Sequence, residues 1–244
     1  MKKFVLLSLV VSSAIVNAEI RSVNCPLGCP SLNIVNNDVV FNHTYTLSNN
    51  PQTKFADWVA YEVNVSNFGD NPGRSWGNDD LIDDNDSLEE ADYKNAFKAL
   101  RTDRGHQAPL ASFSGHKNWT ELNYLSNITP QKSALNQGSW VALEMAVRNA
   151  VSFRNSLYVI TGTLYLEEEE PLPGADEPHI IPSAYFKVIY DLKGNGASFL
   201  FNQDLPRKTE YCDQVIKNSE LNGIISYSMP IFTDSTKILT RLGC

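Results

Sequence analysis

Arg104 and His106 lie two residues apart in the stretch RTDRGHQAPLASF, residues 101–113. Histidine is the side chain best suited to take a proton near neutral pH. A lone histidine is more often structural than catalytic, so its surroundings must decide. On an extended strand, side chains two residues apart point to one face. A guanidinium beside an imidazole makes a site for phosphate. Its charge also favours the neutral imidazole that a base requires. The same alternation turns Asp103 to the opposite face. Asp103 is therefore expected to brace the strand from behind, away from any metal.

A second group lies downstream in LSNITPQKSALNQGSWVALE, residues 125–144. A helix from about residue 135 to 150 would carry Asn136 and Glu144. Eight residues along a helix leave the two about 80° apart around it and about 12 Å apart along it. They can border one cleft, with Trp140 packed between them. An amide oxygen is a weak ligand, but it suits Mg²⁺, which keeps several waters and needs few protein ligands. A nearby carboxylate can hold one of those waters. Taken singly, Asn136 is a polar residue near a helix start and Glu144 belongs to a solvated face. Arg74, in the loop NPGRSWG (71–77), reads alone as an exposed arginine.

The elements that would position these groups are legible in outline. WVAYEVNV (58–65), LYVITGTLYL (157–166) and AYFKVIYDL (184–192) are rich in Val, Ile, Tyr and Phe and read as strands. SFLFNQD (198–204) reads as a fourth, after the turn-like KGNGA. In the helix, Trp140, Leu143, Val147 and Val151 recur near helical spacing, with Ser133 as the N-cap. A short helix is expected in DYKNAFKAL (92–100). Residues 167–182 form a polar, Pro-rich loop. Strands do not alternate regularly with helices, which favours α+β over a doubly wound sheet.

The chain has 244 residues and a formal net charge of −8. Residues 1–18, MKKFVLLSLVVSSAIVNA, have the layout of a secretory signal, with a basic start, an apolar middle and a small-x-small end. Removing them takes Lys2 and Lys3 away and leaves −10. Residues 19–244 are then expected to form one domain with a sizeable core. An acidic chain argues against a polyanion ligand, but the charge is unevenly spread. Residues 79–92 hold eight acidic side chains and no basic one, and Glu167–Glu170 add more. Residues 101–154 carry Arg101, Arg104, Lys117, Lys132, Arg148 and Arg154 against Asp103, Glu121 and Glu144, a local positive excess. The acidic DDNDSLEEAD lacks the turn glycine of a calcium loop, so a solvated loop is the reading there. Four cysteines in an exported chain imply two disulfides. Proximity favours Cys25–Cys29 and Cys212–Cys244. No His or Cys set has the spacing of zinc ligands.

Taken together, DRGHQAPLA (103–111), the Asn-bearing segment 125–144, TKFADWVAYEV (53–63) and the two cysteine pairs resemble the DNA/RNA non-specific endonucleases of the ββα-metal superfamily. The resemblance spans essentially all of residues 19–244. It implies a β-hairpin and a metal-bearing helix laid on a central antiparallel sheet flanked by helices. It implies His106 as general base, Asn136 as the sole direct ligand of a hydrated Mg²⁺, and Glu144 holding metal-bound water. It implies phosphate contacts from Arg104 and Arg74, and Asn127 in the surroundings of the substrate or base. Mn²⁺ could replace Mg²⁺ at such an oxygen site. The implied activity is cleavage of DNA and RNA with little sequence or sugar preference, leaving 5′-phosphates, in a secreted enzyme without membrane attachment. Dimerisation is suggested by analogy alone. The alternatives are a secreted nucleic-acid-binding protein without catalysis, and a related nuclease narrowed to one nucleic acid.

Overall fold

The computed structural model describes residues 21–31 and 36–244. The secretory signal read in residues 1–18 lies outside the described residues. In chain order the strands are β1 (Asp38–Phe41), β2 (Thr46–Asn50), β3 (Phe55–Val63), β4 (Thr102–His106), β5 (Ile128–Lys132), β6 (Leu157–Leu164), β7 (Ala184–Tyr190), β8 (Asn195–Asn202), β9 (Val215–Ile216) and β10 (Thr233–Asp234). The α-helices are α1 (Ala96–Leu100), α2 (Ser133–Leu135), α3 (Val141–Ala150), α4 (Asn218–Ile224) and α5 (Thr236–Arg241).

The central sheet runs β1-β2-β3-β6-β7-β8-β10, with β9 also on β8. All its pairings are antiparallel except β8 with β10. A separate two-stranded hairpin joins β4 to β5. The class is α+β, as the irregular order of strands and helices implies.

Strands β3, β6 and β7 are apolar on both faces because both are covered. Alternation sends Val59, Tyr61, Val63, Val159, Tyr185 and Ile189 to a core shared with Trp140, Leu143 and Val147 of the helical segment that follows β5. The opposite residues, Trp58, Ala60, Ile160, Phe186, Val188 and Tyr190, pack under the C-terminal Leu221, Ile225, Tyr227 and Phe232. The first of these cores carries the site. It fixes the helix, and through it the cleft, to the middle of the sheet.

The expected strands are present, each ending two residues before its expected limit. Two expected helices are broken. Residues 92–100 contain a 3-10 turn, Glu90–Tyr93, then a left-handed Asn95, then α1. The longer helix starts at Ser133 and not after it, so Lys132 takes the cap position. It then widens into a π-type turn, Asn136–Trp140, before α3. Such single π turns recur at functional sites. Trp140 does not lie between Asn136 and Glu144 at the cleft. Its ring is buried against Tyr185 and Phe201. Both expected disulfides, Cys25–Cys29 and Cys212–Cys244, are formed. Among the described residues, no helix is long and apolar enough to cross a membrane.

Candidate active site

The hairpin β4–β5 is docked on the central sheet by side chains reaching its backbone. Tyr185 of β7 and Gln203, just past β8, both donate to the Pro130 carbonyl, at 3.0 and 2.8 Å. Gln203 Oε1 also accepts from the Lys132 amide at 2.8 Å. Gly105 faces the Gln131 side chain so closely that a Cβ would lie 2.6 Å from its Oε1, so the glycine of the DRGH quartet is a packing requirement. Since β5 runs directly into α2, fixing the hairpin also fixes the start of the helix that carries Asn136.

A cleft of about 790 Å³ opens between the hairpin, the helix and the preceding loop. It is lined by Arg74, Arg104, His106, Asn136 and Glu144 together. Five of the six site residues expected from the sequence thus meet in one place. Arg104 and His106 share a face, as strand alternation demands. Both touch Trp76, with the Arg104 guanidinium carbon 5.1 Å from its ring centroid and the imidazole centroid 5.5 Å away. The guanidinium also lies over the Tyr93 ring, 5.3 Å from its centroid. Glu90 accepts from the guanidinium through Oε1 at 3.2 Å and its carbonyl at 3.0 Å. The Arg74 loop is drawn in by a backbone bridge, in which Gly77 donates to the Asn123 carbonyl and accepts from the Leu125 amide.

His106 is partly buried on the cleft wall. Its Nε2 donates to Asn123 Oδ1 at 3.2 Å, which leaves Nδ1 as the basic nitrogen. Burial drives its pKa down to about 4; the Asn123 bond opposes this and the Arg74 charge adds to it. The imidazole is therefore neutral at physiological pH, the state a proton acceptor needs.

Asp103 departs from expectation. It does not sit behind the hairpin but lines the cleft. Its carboxylate accepts from Ser133 Oγ at 2.6 Å, Asn136 Nδ2 at 2.9 Å and Gln137 Nε2 at 2.8 Å. The reason is the immediate entry of β5 into the helix, which lays the first turn over the face that Asp103 occupies. The Asn136 amide is thereby fixed with its NH₂ on Asp103, and its carbonyl oxygen is the atom left for a cation.

Asn127 also departs. It is fully buried and does not line the cleft. Its Oδ1 accepts from the Ala108 amide, and its Nδ2 donates to the Ala108 and Leu122 carbonyls. Its polar atoms are spent on joining the turn after β4 to the segment before β5. The amide that reaches the histidine is Asn123, four residues earlier, and nothing local in the sequence distinguishes the two.

Glu144 lies in the first turn of α3, its side chain only 10% exposed. Burial raises its pKa, while the charges of Lys187 and Arg148 pull it back down. Arg148 lines the cleft one turn beyond Glu144, and its Nη1 is buried without a hydrogen-bond partner among the described residues. A buried guanidinium nitrogen lacking an acceptor is suited to an incoming anion. The i, i+4 spacing from Glu144 was a usable signal for Arg148. Arg207, which also borders the cleft, comes from a distant loop and had none.

A hairpin bearing a histidine, followed by a helix bearing an asparagine, on an antiparallel sheet, defines the ββα-metal nuclease fold. The chain belongs to the DNA/RNA non-specific endonuclease family, whose sequence profile matches residues 28–230. It is 46% identical to the nuclease of Serratia marcescens over 195 residues, 78% of this chain and 73% of that protein. It is 29% identical to human mitochondrial endonuclease G over 158 residues, 60% of this chain and 52% of that one. A solved structure of EndoG in complex with EndoGI superposes with a TM-score of 0.69, covering 83% of this chain and 88% of that chain at 22% identity. At that identity the likeness bears on the fold. The chain is accordingly an endonuclease, which sets aside the reading of a binding protein without catalysis.

Proposed function

We propose that this endonuclease hydrolyses phosphodiester bonds of both DNA and RNA, with His106 as general base and a hydrated Mg²⁺ beside Asn136. The observation that carries this reading is the convergence of His106, Asn136, Glu144, Arg74 and Arg104 on one cleft. The donor set fits the metal. Asn136 offers one amide oxygen, its orientation fixed by Asp103. Glu144 offers a carboxylate suited to a water of the ion, not to the ion itself. A site so poor in protein ligands suits a cation that retains its waters. When bound, Mg²⁺ would neutralise charge on the phosphoryl group and stabilise the departing oxygen.

The chain's own residues do the rest. His106 Nδ1 takes a proton from the attacking water as the water closes on phosphorus. Asn123 holds the ring through Nε2–H, which fixes both orientation and tautomer. Arg104, packed over Trp76 and Tyr93 and bonded to Glu90, presents a fixed positive charge, and Arg74 a second from its loop. Charge placed in advance costs no reorganisation during reaction. These groups address phosphate and not base edges, which supports low sequence preference. With the bond to the 3′ oxygen broken, products carry 5′-phosphates. The reading includes export, for which the basic-apolar start of the sequence and the two disulfides speak.

The test is a digestion of plasmid, single-stranded DNA and RNA by the purified protein, in Mg²⁺ and in EDTA. All three substrates should be cut in Mg²⁺ and spared in EDTA, with ends that accept label only after phosphatase treatment. His106→Ala should lose ~10²–10⁴-fold in rate. Equal rates for His106→Ala and the parent protein would refute the mechanism, and cleavage of only one nucleic acid would narrow the substrate.

A further inference from the structure

Lys187 has no part in the mechanism above, yet it occupies a costly position. It lies in the middle of β7, and its side chain is 1% exposed. Burying an ammonium is unfavourable unless it is paired and hydrogen-bonded. Here all three protons are used. Nζ donates to Thr161 Oγ1 at 2.9 Å, Tyr61 Oη at 3.3 Å and the Gln107 carbonyl at 3.4 Å. It also lies 3.8 Å from the centroid of the Trp140 ring. Its charge faces Glu144 Oε1 at 3.8 Å.

These contacts join the two halves of the site. Gln107 directly follows His106, and Glu144 belongs to the helix that carries Asn136. Tyr61 and Thr161 anchor the ammonium to β3 and β6 in the sheet beneath. A lysine at this point ties the strand of the base and the helix of the metal to one fixed centre.

We propose that Lys187 is a positioning residue for catalysis, its buried ammonium holding the Glu144 carboxylate at a set distance from the strand of His106. The proposal rests on the reading of Glu144 as the carboxylate that holds metal-bound water. Glu144 is desolvated, and Lys187 is the larger of the two charges opposing that, with Arg148 the other. Lys187 in turn is held down to about 8 by burial, with Glu144 raising it and Arg148 lowering it. Without the ammonium, Arg148 alone would oppose the desolvation of Glu144, and the carboxylate would hold a proton more readily and accept from a water less well.

The experiment compares the parent protein with Lys187→Met, Glu144→Gln and the double variant. Mg²⁺ binding to EDTA-treated, dialysed protein is measured by calorimetry, and kcat and KM are followed against pH. Each single variant should lose ~10–100-fold in Mg²⁺ affinity or kcat, the usual range for groups behind the ligands, with KM little changed. The double variant should be no worse than Glu144→Gln. Raising the pH should restore Lys187→Met as Glu144 ionises, and should not restore Glu144→Gln. A folded Lys187→Met with parental Mg²⁺ affinity and kcat overturns the proposal, as do losses that multiply in the double variant. Parental behaviour of Glu144→Gln would instead remove the role assigned to Glu144. Should Lys187→Met fail to fold, ¹⁵N-lysine NMR on Glu144→Gln gives the answer. The Lys187 titration should move down once Glu144 is neutral, and an unmoved midpoint overturns the coupling.

Discussion

At the scale of the residue, the proposed role of His106 as base ties the pH range of the enzyme to its imidazole. Its pKa is pushed from 6.5 to about 4, chiefly by burial. A base must be neutral to act, so the acid limb of kcat/KM should fall well below 6.5, toward 4. A pH–rate profile at saturating Mg²⁺ checks this, and an acid limb at 6.5 would mean that the imidazole is not desolvated. The same shift makes stability pH-dependent. The unfolded chain binds a proton on His106 below 6.5 and the folded chain only near 4, so this group's contribution is lost as pH falls between those values. His106 and Arg104 were legible because strand alternation is a strict rule and both face one side. Asp103 was not, because its neighbour is a helix turn brought over it by the hairpin. Asn127 and Asn123 were not separable, since their roles depend on which amide ends beneath the imidazole.

At the scale of the element, the helix that carries Asn136 is not a plain α-helix. Gly138 sits in the π-type turn with non-helical backbone angles, and its Cα abuts the Arg207 backbone. A Cβ added there would lie 2.5 Å from the Arg207 carbonyl oxygen. Backbone cannot swing aside as a side chain can, so Gly138→Ala should cost ~1–3 kcal/mol in stability, the range for overpacking. Asn136 is two residues away, and on the proposed mechanism its amide oxygen would have to meet a cation within narrow limits. Misplacement by ~1 Å is enough for a ~10²-fold loss of rate. Denaturant titration and kcat with KM should show both effects, the second as a fall in kcat. Parental kcat in this variant would show that the turn does not set the position of Asn136. The apolar spacing of Trp140, Leu143 and Val147 made the helix legible. The widened turn was not, because a glycine inside a periodic stretch signals only a mild cost, and the carbonyl that requires it comes from residue 207. Lys187 left a trace in the sequence, a lone charge inside AYFKVIY, but its partner on another element did not.

At the scale of the whole molecule, an acidic chain gathers four arginines around one cleft. Arg74, Arg104, Arg148 and Arg207 line it, while much of the acidic segment 79–92 caps its own turns. Asp79 is buried and accepts from Asn42 and Ser126, and Asp83 accepts from the Asn85 amide. Net charge therefore said little about the ligand, and local charge said more. The two disulfides act at this scale too, and unequally. Cys212–Cys244 closes a separation of 32 residues that contains α4, β10 and α5, while Cys25–Cys29 closes a separation of 4. The chain entropy removed from the unfolded state grows with the loop, giving ~3–4 kcal/mol for the longer bridge and ~2 kcal/mol for the shorter. The longer loop also packs on both faces of the sheet, through Leu221, Ile225, Tyr227 and Phe232 on one and Ile238 and Leu242 on the other. None of residues 212–244 lines the cleft, so loss of the bridge should lower stability while leaving the cleft residues in place. Cys212→Ser/Cys244→Ser should thus unfold at lower urea than Cys25→Ser/Cys29→Ser, yet keep a kcat near that of the parent at 25 °C. The reverse order of midpoints would show that the bridges act through native contacts and not through the unfolded chain.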